Sequence, residues 1–321
     1  MVTVALGCQL KLEPEDSLQQ LGPRARVLAI QSDPPDLVLG EAAQVRALVH
    51  RPVEGRCDPS DIIEYSWSWC PLRDGDGLEC AIDEDTARDV WAAEGGNTEF
   101  LAYDLGSDPE PFVEHLISES VGEALCRAHA GSDGTAMAQC LERVGVSVRL
   151  TVRDCGDEDT AIWSLPLTDA ASNRNSNPDP SGTLSFRVAG GSDALGDGEA
   201  LLRGENYVAT AEFDIPIECS ASGDEDPCQA ELVSEDEDPR REELTTTWFF
   251  THGSPFLEDV TQGAAGLSTS VNGAALPDPR ESYVVLENED HVGAARAYLL
   301  VRDERGGVGW ATHDYRVVDP L

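Results

Sequence analysis

Nine cysteines carry the clearest chemical information in this sequence: Cys8, Cys57, Cys70, Cys80, Cys126, Cys140, Cys155, Cys219 and Cys228. None forms a C-x-x-C pair and none has histidines at zinc-finger spacing, so the set does not describe a structural zinc site. Setting Cys8 apart leaves eight, an even number suited to four disulfides in an oxidising compartment. The histidines are His50, His115, His129, His252, His291 and His313, and no two stand four residues apart as a metal-binding helix face would require. His252 precedes Gly253-Ser254, but a base and a hydroxyl adjacent in sequence do not make a triad. The sequence lacks G-x-S-x-G, H-E-x-x-H, G-x-G-x-x-G and P-loop patterns, so it nominates no catalytic residue. With 61 carboxylates, pairs at glycosidase separation are guaranteed and therefore uninformative.

The acidic clusters admit a second chemistry. Asp74-Gly75-Asp76-Gly77 and Asp83-Glu84-Asp85 flank Cys80, while Asp224-Glu225-Asp226 and Glu235-Asp236-Glu237-Asp238 flank Cys228. Calcium takes oxygen ligands from such loops. The EF-hand pattern fails because the twelfth residue from Asp74 is Asp85, not glutamate. Calcium is one reading; a solvated acidic loop that keeps a secreted protein soluble is the other.

Charge excludes whole classes of partner. Against 61 acidic residues stand 22 basic ones, for a net charge of -39. A nucleic-acid partner is excluded, because displacing counterions from phosphate needs a cationic footprint. Adsorption to an anionic bilayer surface is excluded for the same reason. Lys11 is the only lysine, which fits a high-GC coding bias. No apolar run approaches the ~18 residues of a spanning helix.

The elements that must position these residues are mainly β. Val27, Ala29 and Gln31 alternate with Leu28 and Ile30, and Asp33-Pro34-Pro35-Asp36 ends the run. Val45, Ala47 and Val49 share one face of a second strand. Ile63, Tyr65, Trp67 and Trp69 give a third strand an aromatic face, with Glu64, Ser66 and Ser68 opposite. Val144, Val146, Val148, Leu150 and Val152 line a fourth, and Cys155-Gly156-Asp157 turns into a strand bearing Trp163. This order resembles an immunoglobulin-like sandwich. Residues 84–143 are expected to form an α-helical insertion, with Val113, Ile117, Val121, Ala124 and Ala128 on one stripe.

Residues 169–183 are rich in Asn, Ser, Pro and Asp and mark a linker. A second β set follows: Leu184, Phe186 and Val188; Tyr207, Ala209, Ala211, Phe213 and Ile215; Thr246, Trp248 and Phe250; then a closing hairpin on Ala297, Leu299 and Val301. Val152-Arg153-Asp154 is echoed by Val301-Arg302-Asp303, with Trp163 and Trp310 on the return strands and Trp67 and Trp248 mid-domain. The expected organisation is thus residues 1–23 as signal remnant and tether, 24–168 as an Ig-like β-sandwich with its insert, 169–183 as linker, and 184–321 as a second Ig-like β-sandwich.

Two resemblances add a location. Val2 to Gly7 followed by Cys8 resembles the lipobox of bacterial lipoproteins, with Ala5 where leucine is usual. The resemblance implies that Cys8 is lipidated and that a basic, apolar signal segment is encoded upstream of Met1. The segment YLLVRDERGGVGWATHDYRV (298–317) looks like the closing hairpin of bacterial Ig-like and PKD-like extracellular modules. With RVLAIQSDPPDLVLGEAAQVRALV (26–49), it resembles predicted surface lipoproteins of high-GC Gram-negative bacteria, a likeness that covers both ends of the chain and misses the insert. It implies no catalytic residue.

The expected disulfides are Cys57–Cys155 at one end of the first sandwich, Cys70–Cys80 across the Asp/Gly loop, Cys126–Cys140 clamping the insert, and Cys219–Cys228 in the second domain. The expected function is a non-catalytic, lipid-anchored cell-surface protein that binds a protein or polysaccharide, attached to the outer membrane or otherwise extracellular. A secreted carbohydrate-active or other hydrolytic enzyme with its site in the insert, and a structural subunit of an envelope assembly, are the alternatives.

Overall fold

The computed structural model describes residues 21, 24–52, 62–74, 79–94, 102–131, 134–168, 175–180, 184–195, 199–211, 244–252, 254–255, 259–262, 270–271, 274–275, 281–286 and 292–320. The chain is mainly β and divides into two compact units. Over the described residues, one comprises Ala25–Val49 and Asp58–Asn175, and the other consists chiefly of Ser176–Leu321.

The first unit contains β1 (Arg26–Asp33), β2 (Ala42–His50), β3 (Glu64–Leu72), α1 (Glu84–Ala93), β4 (Asp104–Gly106), β5 (Phe112–Glu114), α2 (Glu119–Ala130), α3 (Gly134–Leu141), β6 (Val144–Asp154) and β7 (Asp157–Leu165). One sheet has the order β1-β2-β5 and the other β4-β3-β6-β7. Their inward residues meet in one core: Val27, Ala43 and Val45 from the first sheet, and Trp67, Trp69, Val148 and Leu150 from the second. After β1, Leu37 bridges in parallel to Leu167, just beyond β7. Leu37 N–H donates to the Pro166 carbonyl at 3.0 Å, and Thr168 N–H to that of Leu37 at 2.9 Å. The chain thus crosses from one sheet to the edge of the other, shielding backbone groups that an open edge would expose.

The helical insert expected over 84–143 is not one insert. The β4 and β5 strands interrupt it, and each belongs to a different sheet. Val113 lies on β5, so the stripe drawn through it was wrong. Pro109 and Pro111 stop a helix from running through this stretch. The buried face of α2 is Val121, Gly122, Leu125 and Cys126, not Val121, Ala124 and Ala128. The α1 helix starts at Asp83, whose carboxylate accepts the Thr86 N–H at 2.9 Å; α2 starts at Ser118, whose hydroxyl accepts the Val121 N–H at 3.3 Å. The three helices contact one another in sequence, and Ala87, Trp91, Val121 and Leu125 enter the core.

Alternation also fails in β1, where Val27 to Ser32 are buried on both faces. In β2 the buried positions shift phase from Ala43 and Val45 to Leu48 and His50.

The second unit contains β8 (Leu184–Val188), β9 (Leu201–Leu202), β10 (Asn206–Ala211), β11 (Leu244–Phe250), β12 (Ser254–Pro255), β13 (Asp259–Gln262), β14 (Ser270–Val271), β15 (Ala274–Ala275), β16 (Glu281–Val285), β17 (Gly293–Asp303) and β18 (Val308–Val318). Its sheets are β12-β16-β10-β8 and β13-β11-β17-β18-β9, with β14-β15 apart. The strand order repeats that of the first unit. β8, β10 and β16 take the places of β1, β2 and β5; β13, β11, β17 and β18 take those of β4, β3, β6 and β7. β9 pairs in parallel with β18, as the Leu37 segment does with Leu167. Phe213 and Ile215, expected on the second strand of this unit, lie outside the described residues.

Register fixes the internal equivalence. Trp67 pairs with Leu150, and Leu150 with Ala161; Trp248 pairs with Leu299, and Leu299 with Ala311. Trp163 therefore matches His313, which faces Ala297 as Trp163 faces Val148, and Trp310 is not its counterpart. The turns differ in length: Cys155-Gly156 joins β6 to β7, while Glu304 to Gly307 joins β17 to β18. Cys155 and Gly156 both have positive φ, 52° and 87°, as a two-residue hairpin turn demands.

Candidate functional site

The outward face of β3, β6 and β7 is built from side chains distant in sequence. Cross-strand register sets Ser66, Thr151 and Thr160 in one row, Ser68, Arg149 and Ile162 in the next, and Cys70, Ser147 and Ser164 in a third. Asp104 of β4 extends the middle row beyond Ser68. Hydroxyls couple across the strands: Thr151 Oγ1 lies 3.1 Å from Thr160 Oγ1, and Ser147 Oγ 3.0 Å from Ser164 Oγ. Arg153 pairs with Glu158 at 2.7 Å at the far end of the face.

After β3 the chain folds back over this face. Arg73 bridges to Cys80, Ala81 N–H donates to the Leu72 carbonyl at 2.9 Å, and Asp74 N–H to that of Glu79 at 3.1 Å. The Cys70–Cys80 disulfide, with Cα atoms 5.7 Å apart, ties the fold-back to the strand and covers Ser147. Between fold-back and sheet lies a crevice of about 50 Å³, lined by the polar residues Ser68, Arg73, Glu79, Ser147 and Arg149, by the disulfide, and by Trp69, Val148 and Ile162. Organic ligands occupy pockets of ~300–1,000 Å³, so the crevice admits only a single small group. Arg149 is exposed, and its guanidinium has no hydrogen bond or ion pair among the described residues.

The remaining residues singled out from the sequence are distributed as follows. Cys126 and Cys140 are bonded, with Cα atoms 5.6 Å apart, and both are fully buried. Cys155 is disulfide-bonded to a partner outside the described residues. Cys8, Cys57, Cys219 and Cys228 lie outside the described residues, as do Asp76 and both acidic runs around Cys228.

The Asp83-Glu84-Asp85 cluster serves the α1 N-terminus. Asp83 caps it through both carboxylate oxygens, and its pKa is lowered by the Thr86 backbone and side-chain hydrogen bonds. Glu84 pairs with Arg88 at 2.5 Å and accepts the Tyr103 N–H at 3.3 Å. Among the described residues no three His, Cys, Asp or Glu side chains converge to hold a metal ion.

The histidines do not meet in one place. His50, at the end of β2, belongs to the second unit and is buried there, its Nδ1 3.0 Å from the Tyr298 hydroxyl of the same unit. His115 is buried with Nδ1 accepting the Ile117 N–H at 3.4 Å, and desolvation lowers its pKa. His252 lies 3.2 Å from the Thr251 hydroxyl. His129 is exposed, and His291 lies outside the described residues.

Sequence reasoning missed Arg149, which reads as one polar position in an alternating strand. The available signal was the run of Ser and Thr on the solvent side of three strands, with arginine in place of acid.

Comparison with known proteins leaves this geometry to stand alone. No protein-family model matches the chain, and no curated protein does. Among solved structures it is similar to three N-terminal domains of the bacteriophage RB49 outer capsid protein Hoc, at 10% identity and a TM-score of 0.22, over 92% of this chain and 59% of that one. It is also similar to a Salmonella alpha-2-macroglobulin mutant, at 10% identity and a TM-score of 0.20, over 91% of this chain and 16% of that one. A chimeric titin Z1Z2 gives 8% identity and a TM-score of 0.18, over 92% and 98%. At these TM-scores the likenesses support no argument about fold or function. The disulfides fit an oxidising compartment outside the cytoplasm or in the envelope. Among the described residues no helix is long and apolar enough to cross a membrane.

Proposed function

We propose that this chain is a non-catalytic, lipid-anchored surface protein of a bacterial envelope, made of two Ig-like sandwiches that bind a protein or polysaccharide. The observation that carries the reading is the repeated strand order. It sets β1, β2 and β5 against β4, β3, β6 and β7 in the first unit, and β8, β10 and β16 against β13, β11, β17 and β18 in the second, a two-sheet division like that of immunoglobulin-like domains. The parallel contact between the segment after the first strand and the last strand, present twice, supports the same assignment. Helices α1, α2 and α3 are then excursions from two connections of one sandwich. The anchor is Cys8, in its lipobox-like setting.

The test is expression from the native gene in a Gram-negative host, with labelled palmitate and protease shaving of intact cells. The expected result is label and surface digestion for the native chain, and loss of both for Cys8→Ala with release of soluble protein. A native chain that takes no label, or resists shaving until cells are lysed, overturns the proposal.

A further inference from the structure

We infer that the crevice beside the Cys70–Cys80 disulfide takes the carboxylate of a terminal acidic sugar, with Arg149 as its charged donor. The inference rests on the binding role proposed above and names the ligand class. Four observations lead to it.

Arg149 stands exposed and, among the described residues, unpaired, in a chain of net charge -39 where acids outnumber bases 61 to 22. An arginine without a carboxylate in such a chain is a vacant fork for one. The crevice has room for one small group, about 50 Å³, so the rest of the ligand must lie on the open face. That face offers hydroxyls in cross-strand rows, Ser66, Ser68, Thr151 and Thr160, which donate to and accept from a polyhydroxylated chain. Among the described residues of these rows, Ile162 is the one large apolar side chain, whereas a protein interface is built on a buried apolar core with aromatic anchors. The face therefore suits a saccharide better than a protein.

Net charge limits the ligand further. A polyanionic chain would meet repulsion from the whole molecule, while one terminal carboxylate is felt mainly within the Debye length of about 8 Å at physiological salt. Glu79 at the crevice rim, and Asp104 beyond Ser68, oppose even that charge. Asp104 is occupied by the Gly106 N–H at 2.8 Å.

The experiment is calorimetric titration of the full, oxidised chain with three probes: a trisaccharide ending in glucuronic acid, its methyl ester, and the glucose-ended counterpart. The acid should bind about fivefold to tenfold more tightly than the ester, as expected for one charge-assisted contact. Arg149→Gln should bring the acid down to the ester's affinity. Glu79→Gln should tighten acid binding about twofold to fivefold by removing an exposed like charge. Arg153→Gln, at the far end of the face, should change neither.

Equal binding of acid and ester overturns the inference, as does indifference to Arg149→Gln or tighter binding of an acetylated acidic peptide than of the sugar. A palmitoylated, surface-exposed chain that ignores all three saccharides overturns this inference alone. A chain that binds the acid but takes no palmitate overturns the anchoring alone.

Discussion

Replacing the Cys126–Cys140 bridge with alanines should melt one helix before it weakens the unit that carries it. α3 is an eight-residue helix whose only fully buried side chain is Cys140. Isolated helices shorter than ~12–15 residues are marginal in water, so α3 needs an outside constraint. Met137 leans on the core, but Leu141 is 41% exposed, so packing supplies little. The neighbouring α2 is different: Val121, Leu125 and Cys126 seat it in the core. The bond spans a sequence separation of 14, and closing such a loop restricts the unfolded chain by about 3 kcal/mol. Cys126→Ala/Cys140→Ala should therefore lower the urea-unfolding free energy of the first unit by about 2–4 kcal/mol. Hydrogen exchange separates this from a uniform loss. Amides of Gly134–Leu141 should lose protection in the double variant, while those of α2 and β6 keep theirs. A loss under about 1 kcal/mol, with α3 still protected, would show that packing holds the helix and would refute the reasoning.

Two further outcomes follow from the structure. A Cβ on Gly309 would overlap the Pro178 carbonyl oxygen and lie 2.7 Å from Pro180 Cδ, backbone and ring atoms that cannot swing aside. Gly309→Ala should cost the second unit about 1–3 kcal/mol and lower its melting temperature by about 2–4 °C per kcal/mol; an unchanged melt would mean that residues 176–180 do not rest on the β17–β18 hairpin. Burial raises the pKa of Tyr103, Tyr207 and Tyr298 above the ordinary 10.0. Their stabilising contribution is complete below that value and is lost as pH rises through each raised folded value, so phenolate absorbance should appear together with unfolding. Early, reversible ionisation of all three in a chain with native circular dichroism would contradict their burial.

Strands with one wet face were legible, because polar and apolar residues alternate there. β3 and β6 have the inward residues that alternation assigns, Trp67 and Trp69, Val148 and Leu150; β10 and β17 bury the assigned Tyr207 and Ala209, Ala297 and Leu299, but Val208, Tyr298 and Leu300 on their other face are buried as well. β1 was less so, since a strand covered on both faces loses its period. The helical region misled for a local reason. Val113, Ile117 and Val121 are all buried at spacing four, but they lie on a strand, a loop and a helix in turn. The crevice was not legible at all. Ser68, Arg149 and Ile162 are brought into one row only by antiparallel register, which alternation along a single strand does not specify.

The paired tryptophans show which force governs the centre of each unit. Trp67 and Trp248 occupy equivalent positions, opposite Leu150 and Leu299, and are 0% and 2% exposed. Neither indole N–H finds an acceptor among the described residues. An unmet donor costs about 1–3 kcal/mol. Burying an aromatic side chain of ~150–250 Å² returns about 4–6 kcal/mol at ~25 cal/mol per Å². Area outweighs the orphaned donor in both units, so the position selects for bulk. The polar chemistry of the first unit is displaced to the opposite face of the same strands, where Ser66 and Ser68 flank Trp67 in sequence and meet Thr151 and Arg149 across the ladder. One strand thus serves two ends: its inward tryptophans fill the core, and its outward serines, held rigid by that core, present hydroxyls beside the crevice.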